Sequence, residues 1–445
     1  MSLSTEAGRP LDAELFARRV AALGEPEWVA ESRREAWRRY EATDLPAANV
    51  EAWRKTNLAS LGFSLDRVEP LRPEGPRPSD LPATRMPAEL EPLLSASREA
   101  AVLQEWDGEP VVLPGEGSLP EGVRFLALAQ AVREEPELVR SHLFGPAWAE
   151  ETKLDLLERA AWRGGFFLHV GRGVRVEAPL FLLDWLDRPE EGAVGHSLVV
   201  LEPEAEATVV VAVAGRPATG APGLYLHGVE VYAGEEARLR YIGLQLLGDG
   251  TFAFARRSAR QAAGSSVEWV LGEFGARVSR SGFRSELLGD GSGSRAALAF
   301  LGTGGQHLDF PGEMIHQGRK TTSEMTARGA LFDEARSIFR GRTHILRGAK
   351  ASNAYQREGT LLMDRAARGE AIPSLVIDEN EVQAGHAATA GKVDDEQLFY
   401  LESRGIPPQE ARRLVVAGYF QPLLERVPEG ALRETFARSI DRKLG

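Results

Sequence analysis

The residue in this chain best placed to meet another molecule is a histidine set among small side chains. In SLVIDENEVQAGHAATAG, His386 is flanked by Ala384, Gly385, Ala387, Ala388 and Thr389. Such short neighbours let a ligand or a second chain approach the imidazole closely. Neutral imidazole is a borderline metal ligand, and the alternative is a ring that fixes a turn by hydrogen bonds. Glu379 and Glu381 lie upstream; they could join the histidine, or form the solvated turn that acidic runs usually make. A second cluster, QHLDFPGEMIH, holds His307, Asp309, Glu313 and His316. Together these donors would suit iron, zinc or manganese. Pro311-Gly312 in its middle predicts a turn between strands, which would scatter the four into hydrogen-bonded or surface positions.

Other chemistry is excluded by what the sequence lacks. There is no cysteine among 445 residues, so the chain has no disulfide, thiol nucleophile or thiolate cluster ligand of its own. No phosphate-binding Gly-x-x-x-x-Gly-Lys-Ser/Thr loop and no His-Glu-x-x-His occur. The Gly-rich LGDGSGSRAALAF from Leu288 lacks the spacing and the flanks of a dinucleotide loop and reads as a turn between strands. Lys plus Arg number 53 against 65 Asp plus Glu, a net charge of -12, which disfavours nucleic acid as a partner. No run of about 18 apolar residues predicts a membrane span. The start, MSLSTEAGRPLDAELFARR, has no signal-peptide pattern, so the expected location is cytoplasmic.

Three textures must position these groups. Residues 1–163 read as mostly helical, with helices over Leu11 to Leu23, Pro26 to Tyr40, Glu134 to His142 and Thr152 to Trp162, and a Pro-rich linker at 70–87. From 164 to 391 short apolar runs alternate with Gly, Asp and Glu. In ARLRYIG, Leu239 and Tyr241 alternate with Arg238 and Arg240, the period of a strand wet on one face. Sandwich, barrel and solenoid all fit that pattern. Sparse hairpin signals, of which Asp249-Gly250 and Asp290-Gly291 are the clearest, and a length above 200 residues without a break lean towards a parallel β-helix, although no strict repeat is visible. Residues 392–445 return to helix, with Ala411, Leu414, Val415 and Tyr419 on one face and Leu432, Phe436 and Ile440 on another. Helices this short bury little alone, so the tail is expected to dock on the sheet or on a partner.

FRGRTHILRGAKASNAYQREGTLLMDRAAR, then SLVIDENEVQAGHAATAG and DDEQLFYLESRGIPPQEARRLVVAGYF, resembles the SufB/SufD family of iron–sulfur cluster assembly proteins. NVEAWRKTNLASL resembles a Trp-containing segment near the start of the family's SufD branch. Members of the SufB branch carry a β-helix cysteine and an acidic residue directly after the motif histidine. Here Ala387 follows His386 and cysteine is absent; the AGHAATAG form resembles the SufD branch. Some SufD members also have a cysteine where this chain has Ala384, so no thiol role carries over.

The resemblance implies a right-handed parallel β-helix between helical N- and C-terminal domains, acting as a non-catalytic scaffold. It implies pairing with SufB through the β-helix and with the ATPase SufC through the C-terminal helices, and a homodimer when those partners are absent. It further implies a transient iron–sulfur cluster shared with SufB, His386 as its ligand from this side, and flavin in the assembled complex. Phe399, Tyr400, Arg404 and Gly405 are the expected SufC contacts, since aromatic and Arg residues often anchor interfaces. Two rival readings stand beside this one. A β-helix enzyme acting on polysaccharide would need a carboxylate cluster and an export signal; a self-associating structural solenoid would need neither.

Overall fold

Strands with apolar residues turned inward and polar ones outward build the middle of the chain, and parallel stacking of those strands builds a solenoid. The computed structural model describes residues 13–65, 71, 88–96, 101–112, 119–145, 152–219 and 222–444. The expected Pro-rich linker, apart from Leu71, lies outside the described residues.

Two ten-stranded sheets form the solenoid. The first runs in parallel steps from Leu180–Leu186 through Ser266–Glu273, Gly293–Gly302, Thr322–Leu331 and Asn353–Leu362 to Gln383–Lys392. The second, reached between those strands, runs from Phe166–Val170 through Thr251–Gln261, Val278–Leu287 and His307–His316 to Arg336–Ile345. Gly293 pairs with Thr322, Thr322 with Asn353 and Asn353 with Gln383, spacings of 29, 31 and 30 residues per coil.

One corner of the coil repeats where the sequence does not. Glu204, Glu236, Gly264, Gly291, Lys320 and Ala351 all adopt φ between 57° and 72°. Each passes its N–H to the next coil: Glu204 to the Glu235 carbonyl at 2.7 Å, Lys320 to Lys350 at 2.8 Å, Ala351 to Glu381 at 2.7 Å. A left-handed conformation costs a non-glycine residue about 1 kcal/mol, and the stacked hydrogen bond offsets it. Asp249-Gly250 and Asp290-Gly291 also sit at coil corners rather than in hairpins.

Apolar side chains fill much of the interior, beside a buried polar group that includes His227, Arg257 and Glu273. By register, Val209, Tyr241, Trp269, Ala296 and Met325 form one inward row of the first sheet, all buried. Phe283, Phe300 and Phe310 fill the space opposite and between. Burial of each such ring contributes roughly 1.5–3 kcal/mol, and together they block the lumen as a channel.

The two ends of the solenoid differ. At the first, Val102–Trp106 pairs antiparallel with Glu109–Val112, and Val123–Ala127 antiparallel with Phe166–Val170. The sheets thus begin within the segment expected to be mostly helical. At the other end, Gln383–Lys392 closes the first sheet. Arg368–Ala371 and Ser374–Ile377 close the second, each pairing with Arg336–Ile345. These edges are parallel and uncapped.

The helices follow their sequence signals with small shifts. Ala13–Ala22, Glu27–Glu41 and Lys153–Ala161 are close to expectation, the last opened by a Thr152–Asp155 capping box. The expected Glu134 to His142 helix is Pro136–His142, opened by Pro136 in its first turn, and a further helix, Leu128–Glu134, precedes it. At the other terminus stand Asp395–Ser403, Pro408–Leu424 and Ala431–Leu444. The last two pack their apolar faces on the outer side of the first sheet, against residues such as Leu244 and Val270. Of the expected stripe Ala411 is buried but Leu414 is exposed; Val416, Phe420 and Leu423 are buried with Ala411. In the run Leu414-Val415-Val416 periodicity alone could place either flank inward, and docking on the sheet selects Val416.

Candidate functional site at the open end of the solenoid

His386 lies in the final strand and pairs in register with Gln356. Neighbours in register share a face of the sheet, so His386 continues the inward row Tyr241, Trp269, Ala296, Met325, Gln356. No further coil covers it, and the histidine is exposed. It therefore stands at the mouth of the lumen. Tyr355 flanks it on the outer face, 53% exposed, with its ring 3.4 Å from where a Cβ on Gly385 would lie.

Beneath this mouth the interior turns polar. Gln356 donates to Thr343 Oγ1 at 2.7 Å and to the Ser374 carbonyl at 3.3 Å. His316 is fully buried, its ring nitrogens 2.8 Å from Thr321 Oγ1 and 2.8 Å from Ser323 Oγ. Burial pulls His316 down to about 4. Glu358, two residues along from Gln356, is pushed by burial up to about 8, and so holds a proton at neutral pH.

The final strand also offers its backbone. Gln383 donates its N–H to Ser352 on the preceding coil at 3.0 Å. Donor direction alternates along a parallel ladder. The N–H groups of Ala384, His386, Ala388 and Ala390 therefore face away from the sheet, an edge ready to accept another strand.

Glu379 and Glu381 occupy the corner before that strand. Glu379 accepts from Gly348 N–H at 3.0 Å and Asn380 N–H at 2.9 Å, which hold its carboxyl below the usual range. Glu381 pairs with Lys350 at 2.7 Å. Both stitch the last corner to the coil beneath it, and among the described residues no hydrogen bond or ion pair links either to His386.

The four tail residues lie in and just after Asp395–Ser403, a helix with no buried residue. Phe399 is 72% exposed and Tyr400 57%, and the Arg404 guanidinium sits 5.1 Å from the Tyr400 ring centre. Gly405 takes φ +86° and donates to the Glu402 carbonyl at 2.9 Å, ending the helix as glycine commonly does.

The His307 cluster is not a turn. His307–His316 is one strand, and the predicted break at Pro311-Gly312 is corrected to a local gap in pairing. Pro311 has no N–H to give; the ladder to Val278–Leu287 lapses between the Arg280–Asp309 and Phe283–Gly312 pairs, while that to Arg336–Ile345 is continuous. Of the four, only His307 and Asp309 keep a shared partner, His307 Nε2 lying 3.1 Å from Thr56 Oγ1. Asp309, fully buried, accepts from Thr56 Oγ1 at 2.5 Å and pairs with Arg280 and Arg340. Glu313 pairs with Arg284 and Arg342 on the outer face, and His316 points inward. Among the described residues no group of three or more His, Asp or Glu side chains is placed to hold a metal ion.

Sequence reasoning missed the charged grid around Asp309. Its signal was present as the arginines recurring through ARRSARQ, VSRSGFRSEL and FRGRTH, at even spacing in the last two.

An uncapped parallel solenoid, an exposed imidazole at its mouth and a helical tail with bare aromatics define a scaffold-type subunit that meets other chains. Comparison with known proteins agrees. Residues 185–419 match the SUF system FeS cluster assembly SufBD core domain, and residues 112–182 the SufBD N-terminal region. The chain is 32% identical to the iron–sulfur cluster assembly protein SufD of Bacillus subtilis strain 168 over 428 residues, 94% of this chain and 95% of that one. It is 28% identical over 331 residues to a SufBD family protein of Staphylococcus epidermidis, and 27% to one of Staphylococcus saprophyticus, covering 74% of this chain and 71% of each relative. The chain belongs to the SufBD family of iron–sulfur cluster assembly proteins and is of the SufD type. No described helix is long and apolar enough to cross a membrane.

Proposed function

We propose that the chain is the SufD-type partner of a SufB subunit in cluster assembly, joined to it edge to edge at the open end of the solenoid. The observation that carries this reading is the last strand, whose outward N–H row and exposed His386 lie at the same uncapped edge. Strand addition across such an edge supplies main-chain hydrogen bonds, and a partner's coil would seat directly over the lumen mouth. In that position His386 offers a neutral imidazole to a nascent cluster, the cargo, whose softer thiolate ligands come from SufB. Mixed imidazole–thiolate ligation is more labile than four thiolates, as a scaffold that must release its cluster requires. Glu379 and Glu381, engaged in the corner, are weaker candidates.

The Asp395–Ser403 helix, with Phe399 and Tyr400, is the proposed dock for the ATPase SufC. Nucleotide hydrolysis belongs to that partner, since this chain has no phosphate-binding loop. A cytoplasmic setting follows from the same reading. Flavin in the assembled complex would have to bind outside the small cavity in the lumen. The space among Tyr225, His227, Tyr241 and Arg257 is only about 20 Å³, room for one water rather than a three-ring system, and no step is routed through it.

Co-purification with SufB and SufC tests the pairing. Ala388→Pro with Ala390→Pro removes two outward N–H groups and leaves the inner ladder intact. The double variant should lose SufB and keep SufC, whereas His386→Ala should keep both and fail to build the cluster. Retention of SufB by the proline variant would place the interface elsewhere. A homodimer formed through the same edge when SufB is absent should break up under the same two prolines.

A further inference from the structure

The outer face of the second sheet contains a trough walled by arginines. By register its central row reads Arg256, Gly282, then Pro311, Arg340 on successive strands. Glycine and proline raise almost nothing between the two arginines, so the row sinks. Phe254 and Arg280 stand along one side, and Arg284 and Arg342 along the other. Ala52, Trp53 and Leu154, from the N-terminal segment, close the remaining wall. The enclosed volume is about 310 Å³, within the range of small-molecule sites.

The charge of this trough opposes that of the chain. Arg256, Arg280, Arg284, Arg340 and Arg342 face Asp155, Glu158, Asp309 and Glu313. Asp309 is shared by two arginines and Glu313 by two others. Beside them Glu286 pairs with Arg284 at 2.8 Å and with Arg260 at 3.6 Å. Among the described residues Arg340 Nη2 and Arg284 Nε are buried without a hydrogen-bond partner. The Arg280 guanidinium is already held flat, 4.1 Å from the Trp53 ring centre. A network whose sole task was to bind strands together would close over its centre; here the centre is left empty, and the cations exceed the anions in a protein of net charge -12.

We propose that this trough binds a small molecule bearing a phosphate or carboxylate group. Guanidinium forks match both oxyanions in geometry. Arg284, Arg340 and Arg342 take the anionic group, while Phe254 and Trp53 receive a flat or apolar remainder. The site lies on the sheet opposite to that of His386, and it stands independently of the partner pairing proposed above.

Calorimetric titration of the full chain with pyrophosphate, adenosine monophosphate and citrate tests it, the first two against the third separating phosphate from carboxylate recognition. At least one should bind with Kd below about 1 mM and weaken as salt is raised. Arg342→Glu reverses a half-exposed charge and should weaken that binding at least tenfold. Ala52→Trp obstructs the trough without touching an ion pair and should do the same, so a folding defect in one variant leaves the other to decide. Absence of heat with all three probes, or affinity unchanged in both variants, overturns the proposal.

Discussion

Gln356 and His386 are partners in register on the last two strands of the first sheet, yet Gln356 is 5% exposed and His386 lies open. The same inward position is buried one coil down and bare at the end, because no further coil caps the stack. Removal of an exposed ring with no hydrogen bond among the described residues should leave the fold unaffected. His386→Ala is expected to shift unfolding free energy by no more than about 0.5 kcal/mol while abolishing cluster formation with partners. Thermal melts beside an assembly assay read the two effects separately; a large loss of stability would mean that the ring serves the fold.

Asp309 should behave in the opposite way. It is wholly buried, and its carboxylate joins Thr56 of the N-terminal segment to Arg280 and Arg340 of two strands. Asp309→Ala leaves two guanidinium groups without their anion, a change that costs about 3–5 kcal/mol. The N-terminal segment should loosen first, so limited proteolysis is expected to cut near residues 51–60 in the variant and not in the parent. Equal protection in both would show that Thr56 is held by other contacts.

The contrast between these residues explains what the sequence made legible. Period-two alternation in ARLRYIG and the stripes of the terminal helices are local, and strands and helices stand close to where they were expected. The coil repeat is not local in that sense. Its corner needs a left-handed residue at each turn, but Glu204, Glu236, Lys320 and Ala351 meet that need alongside only two glycines, because stacked hydrogen bonds rather than residue type enforce it. Pro311 misled for a related reason. A proline in a strand reads as a break, yet only the ladder towards Val278–Leu287 lapses while the other neighbour holds the strand straight. His386 was legible as a residue, but its place at the lumen mouth depends on which coil comes last.

Glu358 gives the stability a pH slope of known sign. Burial raises its carboxyl from 4.5 to about 8, so between those values the folded chain keeps a proton that the unfolded chain has released. Stability from this group is therefore fully present below pH 4.5 and is lost as pH rises towards 8. The loss is on the order of a few kcal/mol. Glu358→Gln mimics the protonated form and should remove this part of the slope, leaving the variant more stable than the parent at pH 8 and similar at pH 5. Melting curves at both values decide; a parent that melts higher at pH 8 than the variant would show that Glu358 is ionised in the fold.

The tail separates its two helical tasks by burial. Phe436 is fully buried against the first sheet, and a Cβ on Gly272 would lie 2.6 Å from its ring and 2.9 Å from that of Phe274. Gly272→Ala should therefore push Ala431–Leu444 off the sheet at a cost of about 1–3 kcal/mol. Phe399 and Tyr400, by contrast, are exposed on a helix with no buried residue. Phe399→Ala with Tyr400→Ala should leave the melting temperature unchanged and weaken SufC capture by the full chain at least tenfold, since exposed aromatic anchors commonly carry more than 2 kcal/mol of an interface. If Gly272→Ala abolishes capture while the aromatic pair does not, the ATPase reads the docked helices and not the bare one.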